Sequence, residues 1–141
     1  MNSTDCFKKR LLRKEKPDPK KSERSLEVAN SKLERAYDLF NNEFYEESLV
    51  TAYTAMFHGA RALLYRDGVV EKSHVCVGAY LRDNYSSTLG QDRIGWLDSA
   101  RLERHESFYG LETPKLNKEE VEDVLEKAEM FIESVTALLK T

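Results

Sequence analysis

The chain has 141 residues, of which 40% are hydrophobic and 33% are charged, with only three prolines and six glycines. This length suits one domain with a moderate core, and the composition favours a mostly helical protein. No apolar stretch approaches the roughly 18 residues of a membrane span, and no apolar run follows the basic N-terminus as it would in a secretion signal. We therefore expect a cytoplasmic protein that does not enter a membrane.

The net charge of −3 is unevenly distributed along the chain. Residues 1–24 hold nine lysines and arginines against four acidic residues, whereas residues 25–141 hold thirteen against twenty-one. A basic segment on an acidic body suits contact with nucleic acid or with an acidic partner surface, and the alternative is a solvated tail. The sequence thus predicts a basic, flexible N-terminal extension over residues 1–22 and a helical body over residues 23–141.

The cysteines and histidines do not suggest a metal centre. Cys6 and Cys76 are the only cysteines, and Cys6 lies in the predicted extension, so we expect neither a disulfide framework nor a metal site. The three histidines are spread over three predicted helices without the short spacing of metal ligands. We expect no metal and no cofactor, and we assign His74 to capping or packing of its helix.

Two long helices are predicted in the first half of the body. Ser22 is a suitable cap for the first, which runs to about Asn41. The second ends near Gly68, and small residues on its opposite face predict burial on two sides. Apolar residues spaced by three and four carry both predictions: Leu26, Ala29, Leu33, Ala36, Tyr37 and Phe40 in the first helix; Leu49, Ala52, Tyr53, Met56, Ala60, Leu63 and Leu64 in the second.

Three further helices are predicted in the second half. A short one ends around Asn84, a fourth runs from about Gln91 to Tyr109, and the last begins at Asn117 with a capping box to Glu120. No segment alternates with the period of a strand. The sequence therefore predicts an all-α fold, an up-and-down antiparallel four-helix bundle with an additional short helix. A long apolar seam on the last helix is compatible with a homodimer.

The fourth helix carries charge where its apolar stripe would continue. Arg101, Arg104, His105 and Tyr109 fall within one arc of that helix. Charged side chains rarely face a core unless they are paired, functional or at a subunit interface. Two interpretations remain open: a phosphate-binding arginine with a basic histidine, or an ion-pair network with nearby carboxylates. Arg104 is either a second phosphate ligand or a surface ion-pair partner.

The second helix resembles the signature of HEPN-domain proteins. Residues 53–64 contain an aromatic-x-Ala-Met-Phe-His run that continues into Ala-Leu-Leu, and Lys72-Ser73-His74 resembles the family's basic-x-His opening of the next helix. The interval from Arg104 to Tyr109 matches that of small archaeal and bacterial members. The resemblance covers roughly residues 23–140. It implies a dimeric four-helix bundle in a family whose members are often metal-independent ribonucleases and toxins, encoded beside a minimal nucleotidyltransferase.

The resemblance also implies roles for the charged helix. Arg101 and His105 would be catalytic: the histidine would assist attack of an RNA 2′-hydroxyl on the adjacent phosphate, and the arginine would stabilise the phosphorane. Arg104 and Tyr109 would bind the substrate. The alternative is a non-catalytic module that dimerises and docks a nucleotidyltransferase, or binds nucleotide or RNA.

Overall fold

The computed structural model describes residues 1–109, 111 and 116–141, and only the backbone of residues 107–109. The described part is mostly helical, with one small two-stranded sheet, and the five predicted helices correspond to α2–α6, so the all-α prediction is confirmed. The elements are α1 (Ser3–Lys8), β1 (Leu12–Lys14), α2 (Pro19–Asn41), α3 (Tyr45–Asp67), β2 (Val69–Glu71), α4 (His74–Tyr85), a π-helical turn (Ser86–Gly90), α5 (Gln91–Tyr109) and α6 (Lys118–Leu139).

Serine hydroxyls join α2 closely to α3. Ser22 Oγ donates to the Ala62 carbonyl at 2.6 Å, and Ser25 Oγ donates to the His58 carbonyl at 2.7 Å. Ser22 is therefore not the helix cap. Asp18 has that role, because its side chain accepts the Lys21 N–H at 3.0 Å one turn earlier.

Helix α3 is the centre of the fold and contacts α2, α4, α5 and α6. Its buried residues lie on two sides, as predicted, and a Cβ on Gly59 would lie only 3.6 Å from Ile132 Cγ1 of α6. The helix ends at Gly68, which has a φ of 77°. A Cβ at this position would meet the Glu15 carbonyl oxygen at 2.5 Å, so only glycine fits.

The N-terminal segment packs against the body, where the sequence predicted a flexible extension. Helix α1 has a capping box, strand β1 pairs antiparallel with β2, and Cys6 is fully buried. Cys6 also forms a disulfide with Cys76 of α4, so the prediction of unpaired cysteines was wrong. Leu12, 2% exposed, completes the apolar contact. We call residues 2–14 the N-terminal clasp. The clasp has few apolar residues, and its disulfide joins cysteines that are distant in sequence. Neither feature produces a periodic pattern that could be recognised in the sequence.

Helix α6 begins at Asn117, as predicted, because the Asn117 side chain accepts the Glu120 N–H at 2.8 Å. The apolar seam that suggested a dimer is covered within the chain itself. Its buried members, each at most 3% exposed, are Val121, Leu125, Ala128, Phe131, Ile132 and Val135. The seam therefore supplies no argument for a second copy. Among the helices described, none combines the length and apolarity that crossing a membrane would require.

Candidate arginine–aromatic site

Four large side chains recur at every fourth position of α3. Tyr53, Phe57, Arg61 and Tyr65 therefore follow one another along one slowly turning face of the helix. Tyr53 is only 2% exposed, whereas the other three are half-buried. The row thus runs from the core of the bundle to its surface.

His74 is the first residue of α4, and its imidazole lies against this row. Tyr53 Oη and His74 Nδ1 share a hydrogen bond of 2.7 Å, and the ring of Phe57 stacks on the imidazole with centroids 4.0 Å apart. The assignment of His74 to packing is correct in this respect, but capping of α4 belongs to Ser73, whose side chain accepts the Cys76 N–H. His74 itself remains exposed. The imidazole is therefore oriented by the rings of Phe57 and Tyr53 and by one hydrogen bond, and it is still accessible to a ligand.

Cationic groups lie over the aromatic rings along the same row. The Arg104 guanidinium is 5.7 Å from the centre of the Tyr53 ring, and the Arg61 guanidinium is 5.7 Å from Phe57 and 5.2 Å from Tyr65. Such pairs are attractive because the face of an aromatic ring is electron-rich. Arg61 is oriented further by Glu71 of β2, whose Oε1 lies 2.5 Å from Arg61 Nε.

Burial is the main cause of the charge state of the Tyr53–His74 pair, and the arginines modify it. Burial lowers the pKa of His74 from its ordinary value, and the nearby Arg104, Arg101 and Arg61 lower it further. Burial raises the pKa of Tyr53 to about 12, although Arg104 and Arg101 oppose that shift. Both members of the pair are consequently uncharged near pH 7. The positive charge of the site comes from the arginines, in a chain whose net charge is −3.

Two of the four residues predicted from the sequence reach this site. Arg101 and Arg104 are half-buried and act electrostatically on His74, whereas His105 is exposed on α5. Within the described ranges, Arg101 Nε is buried without a hydrogen-bond partner. The side chain of Tyr109 lies outside the described residues. The pairing of Arg101 with His105 as catalytic residues stays a prediction.

A second feature lies on the other side of α5. A cavity of about 350 Å³ between α3, α5 and α6, here called the acidic cavity, has an apolar floor that includes Met56 and Trp96. Burial raises the pKa of Glu103 at its rim, with Glu120 as the next largest cause. In the part of the chain that is described, no His, Cys, Asp and Glu group could hold a metal ion. The charged lining residues are Glu103, Glu106, Glu120, Asp123 and Lys127.

Sequence reasoning missed the contributions of α3 and α4 to the site. Tyr53 was assigned to the core, His74 to capping or packing, and Arg61 received no role. Two signals were present: the four-residue spacing of rings on α3 and the Lys72-Ser73-His74 motif. Neither reveals that the two segments meet, because their contact depends on how β2 returns the chain to α3.

The sequence profile of the HEPN domain matches residues 22–138, which is most of the chain. The chain belongs to the HEPN family. The resemblance carried by residues 53–64 is thereby confirmed. This HEPN protein is 31% identical over 120 residues to a candidate toxin of Methanocaldococcus jannaschii, a match that covers 82% of this chain and 86% of the relative. A second candidate toxin of the same organism is 29% identical over 112 residues, covering 78% and 76% respectively.

Proposed function

We propose that this HEPN protein is the toxin of a toxin–antitoxin or defence module and cleaves RNA as a dimer, without a metal ion. The toxin role is supported by the similarity to the two Methanocaldococcus jannaschii relatives. The observation that carries this proposal is that Arg101, the proposed catalytic arginine, lies with Arg104 beside the uncharged Tyr53–His74 pair, where together they offer a site for a substrate phosphate. An acidic protein that concentrates arginines at one surface has a local site for a phosphate.

The proposed reaction needs only side chains of this chain. A histidine accepts the proton of an RNA 2′-hydroxyl as that oxygen attacks the adjacent phosphorus. An arginine stabilises the charge of the phosphorane, the bond from phosphorus to the 5′-oxygen breaks, and the leaving oxygen takes up a proton. The products are a 2′,3′-cyclic phosphate and a 5′-hydroxyl. DNA lacks the 2′-hydroxyl and is not a substrate.

Arg101 and His105 are the proposed catalytic residues. They are four positions apart on α5, so their side chains are neighbours on the helix surface. His105 is exposed and accessible to substrate or to a second protomer, so the composite site would form where the α5 helices of two copies meet. In this arrangement Arg104 and Tyr109 bind the RNA.

The test is an RNA cleavage assay in the presence of EDTA. Wild type is compared with Arg101→Ala and His105→Ala, and Arg35→Ala on the exposed face of α2 is the matched control for loss of one positive charge. We expect each α5 variant to lose at least about 100-fold in rate. Fragments should carry cyclic-phosphate ends, and Arg35→Ala should match wild type. Absence of cleavage, or cleavage that survives both α5 substitutions, would contradict the nuclease proposal.

The acidic cavity favours a second candidate function, a non-catalytic module that docks a minimal nucleotidyltransferase. Its apolar floor and carboxylate rim suit a basic partner surface. A nucleotidyltransferase encoded in the neighbouring reading frame would be the protein to test. Complex formation measured by size-exclusion chromatography should then be lost in Glu120→Lys and retained in Arg101→Ala. Loss of the complex in Arg101→Ala and its retention in Glu120→Lys would instead assign the contact to the side of α5 that carries Arg101.

A further inference from the structure

Aromatic rings with cationic or imidazole groups beside them follow one another along one face of α3, from the buried Tyr53 to the half-buried Tyr65. The order is Arg104 over Tyr53, His74 on Phe57, Arg61 between Phe57 and Tyr65, and Lys21 at 5.9 Å over Tyr65. Tyr53 and Tyr65 are twelve positions apart, which corresponds to about 18 Å along the helix axis. We call this row the α3 track. It is longer than a site for one phosphate and connects α5 to the start of α2.

The far end of the track is a cationic cavity. This cavity, of about 210 Å³, is lined by Lys21, Arg24 and Arg61 together with Tyr65 and His58; no carboxylate is among its described lining residues, although Arg61 is itself ion-paired with Glu71. Burial lowers the pKa of His58, and Arg61 is the next largest cause. The basic residues at the start of α2 thus face an aromatic ring and not solvent alone. A phosphate is the group that this charge and size accommodate best.

The middle of the track is suited to a base. The stacked Phe57 and His74 rings have an interplanar angle of 18°, and His74 is exposed. Aromatic side chains beside cations are the usual way in which proteins hold single-stranded nucleic acid, since each base has a face to stack and each phosphate needs a positive charge. A duplex hides its base faces and does not present them to such a ring.

We propose that the α3 track binds a single-stranded RNA segment, with a base stacked on His74, one phosphate at Arg61, Lys21 and Arg24, and another phosphate further along the strand at Arg101 and Arg104. This inference rests on the proposed function in that the bound strand leads to the α5 site. Unlike the proposed function, it requires that the protein binds RNA but not that it cleaves RNA. Duplex RNA is the alternative ligand that the experiment distinguishes from a single strand.

The experiment measures fluorescence anisotropy of a labelled 2′-O-methyl oligouridine, which cannot be cleaved because its 2′-oxygen is blocked. We expect His74→Ala to weaken binding about tenfold, the size expected for loss of one stacked base. His74→Phe retains a ring for stacking and loses the hydrogen bond to Tyr53, so binding should stay within about threefold of wild type. Thermal melting by circular dichroism shows that each variant is folded.

A second set of variants tests the contribution of positive charge to RNA binding. The double variant Lys21→Ala/Arg24→Ala should lose about tenfold in affinity, and the slope of log affinity against log salt should fall by about 1.4, since each contact to a single strand contributes about 0.7. Lys118→Ala/Lys140→Ala, at the exposed first residue and the exposed C-cap of α6, removes the same charge elsewhere and should bind as wild type does. A duplex of the same sequence should bind at least about tenfold more weakly than the single strand.

Each outcome decides the inference. Wild-type affinity in His74→Ala, equal loss in the α6 control, or equal binding of duplex and single strand would overturn the track. Specific binding without any cleavage of unmodified RNA would contradict the nuclease proposal and leave the track standing. If every track variant cleaves RNA at the wild-type rate and binds it with wild-type affinity, the track proposal is contradicted and the nuclease proposal is not.

Discussion

The two sides of α5 carry opposite charge and meet different neighbours. Arg101 and Arg104 lie beside the Tyr53–His74 pair, whereas Glu103 and Glu106 line the acidic cavity toward α6. The surrounding helices reinforce the difference, because α3 supplies rings and Arg61 on one side and α6 supplies further carboxylates on the other. The charged residues of α5 therefore belong to two different surfaces, and only the surface with Arg101 and Arg104 is suited to binding a polyanion.

The two sides also differ in how they are held together. The arginine side includes α4, which the disulfide from Cys6 ties to the N-terminal clasp. The acidic cavity is not crossed by that disulfide, and the pKa of Glu103 at its rim is raised mainly by burial and secondly by repulsion from Glu120. Four experiments test this contrast, from the largest expected effect to the smallest.

Removal of the disulfide should have the largest effect on stability. Cys6 and Cys76 are 70 positions apart, and a loop of that length predicts a loss of about 4 kcal/mol in the free energy of unfolding for Cys6→Ser/Cys76→Ser. Urea unfolding of wild type with and without a dithiol reductant measures the same quantity. The double variant should not respond to reductant. Equal stability of the oxidised wild type and the variant would show that the clasp is not held by this bond.

Charge reversal on the two sides should affect RNA binding very differently. Arg104→Glu places a carboxylate over the Tyr53 ring and should weaken binding of the blocked oligouridine by about 100-fold at low salt. Glu106→Lys, two positions further along α5 and at the acidic cavity, should change affinity by less than about threefold. Similar effects of the two reversals would mean that RNA does not distinguish the two sides.

The contribution of His74 to stability should depend on pH. At pH above 7, His74→Phe should be about 1 kcal/mol less stable than wild type, because the hydroxyl of Tyr53 loses its partner. The pKa of His74 is lowered in the folded state, so below about pH 6.5 the unfolded wild type takes up a proton that the folded protein does not. The difference in stability should therefore shrink on acidification. If the difference in melting temperature between wild type and His74→Phe grew as the pH fell, this assignment would be contradicted.

Glu103→Gln should give the smallest effect on stability. It should stabilise the protein, whereas His74→Phe and removal of the disulfide destabilise it. The pKa of Glu103 is raised in the folded state, so its ionised form opposes folding at neutral pH. We expect the variant to be more stable at pH 7 by up to about 0.5 kcal/mol, since the side chain is largely solvated. This gain should disappear below about pH 4.3, where the unfolded glutamate is also protonated. Glu106→Gln is the comparison variant on the same helix.

Much of the helical framework could be predicted, and the position of the site only in part. Apolar periodicity predicted helices α2 to α6, and Asn117 and Gly68 were correctly placed at helix ends, because each signal depends on residues within a few turns. The arc on α5 singled out Arg101 and Arg104, which the fold brings close to His74, and their roles stay predictions. The clasp was missed, because Cys6 finds its partner far along the chain. His74 was only partly understood, since the ring beneath it belongs to another helix.

The sequence by itself determined the all-α architecture and, through residues 53–64, the HEPN family, because both depend on local patterns of side chains. Only the tertiary structure decided which charges of α5 act together. It placed the uncharged Tyr53–His74 pair beside Arg101 and Arg104, and it turned Glu103 and Glu106 toward the carboxylates of α6. The physical reason is that electrostatic and stacking interactions depend on distance in space, and the contacts between α3, α4 and α5 join residues far apart in the chain.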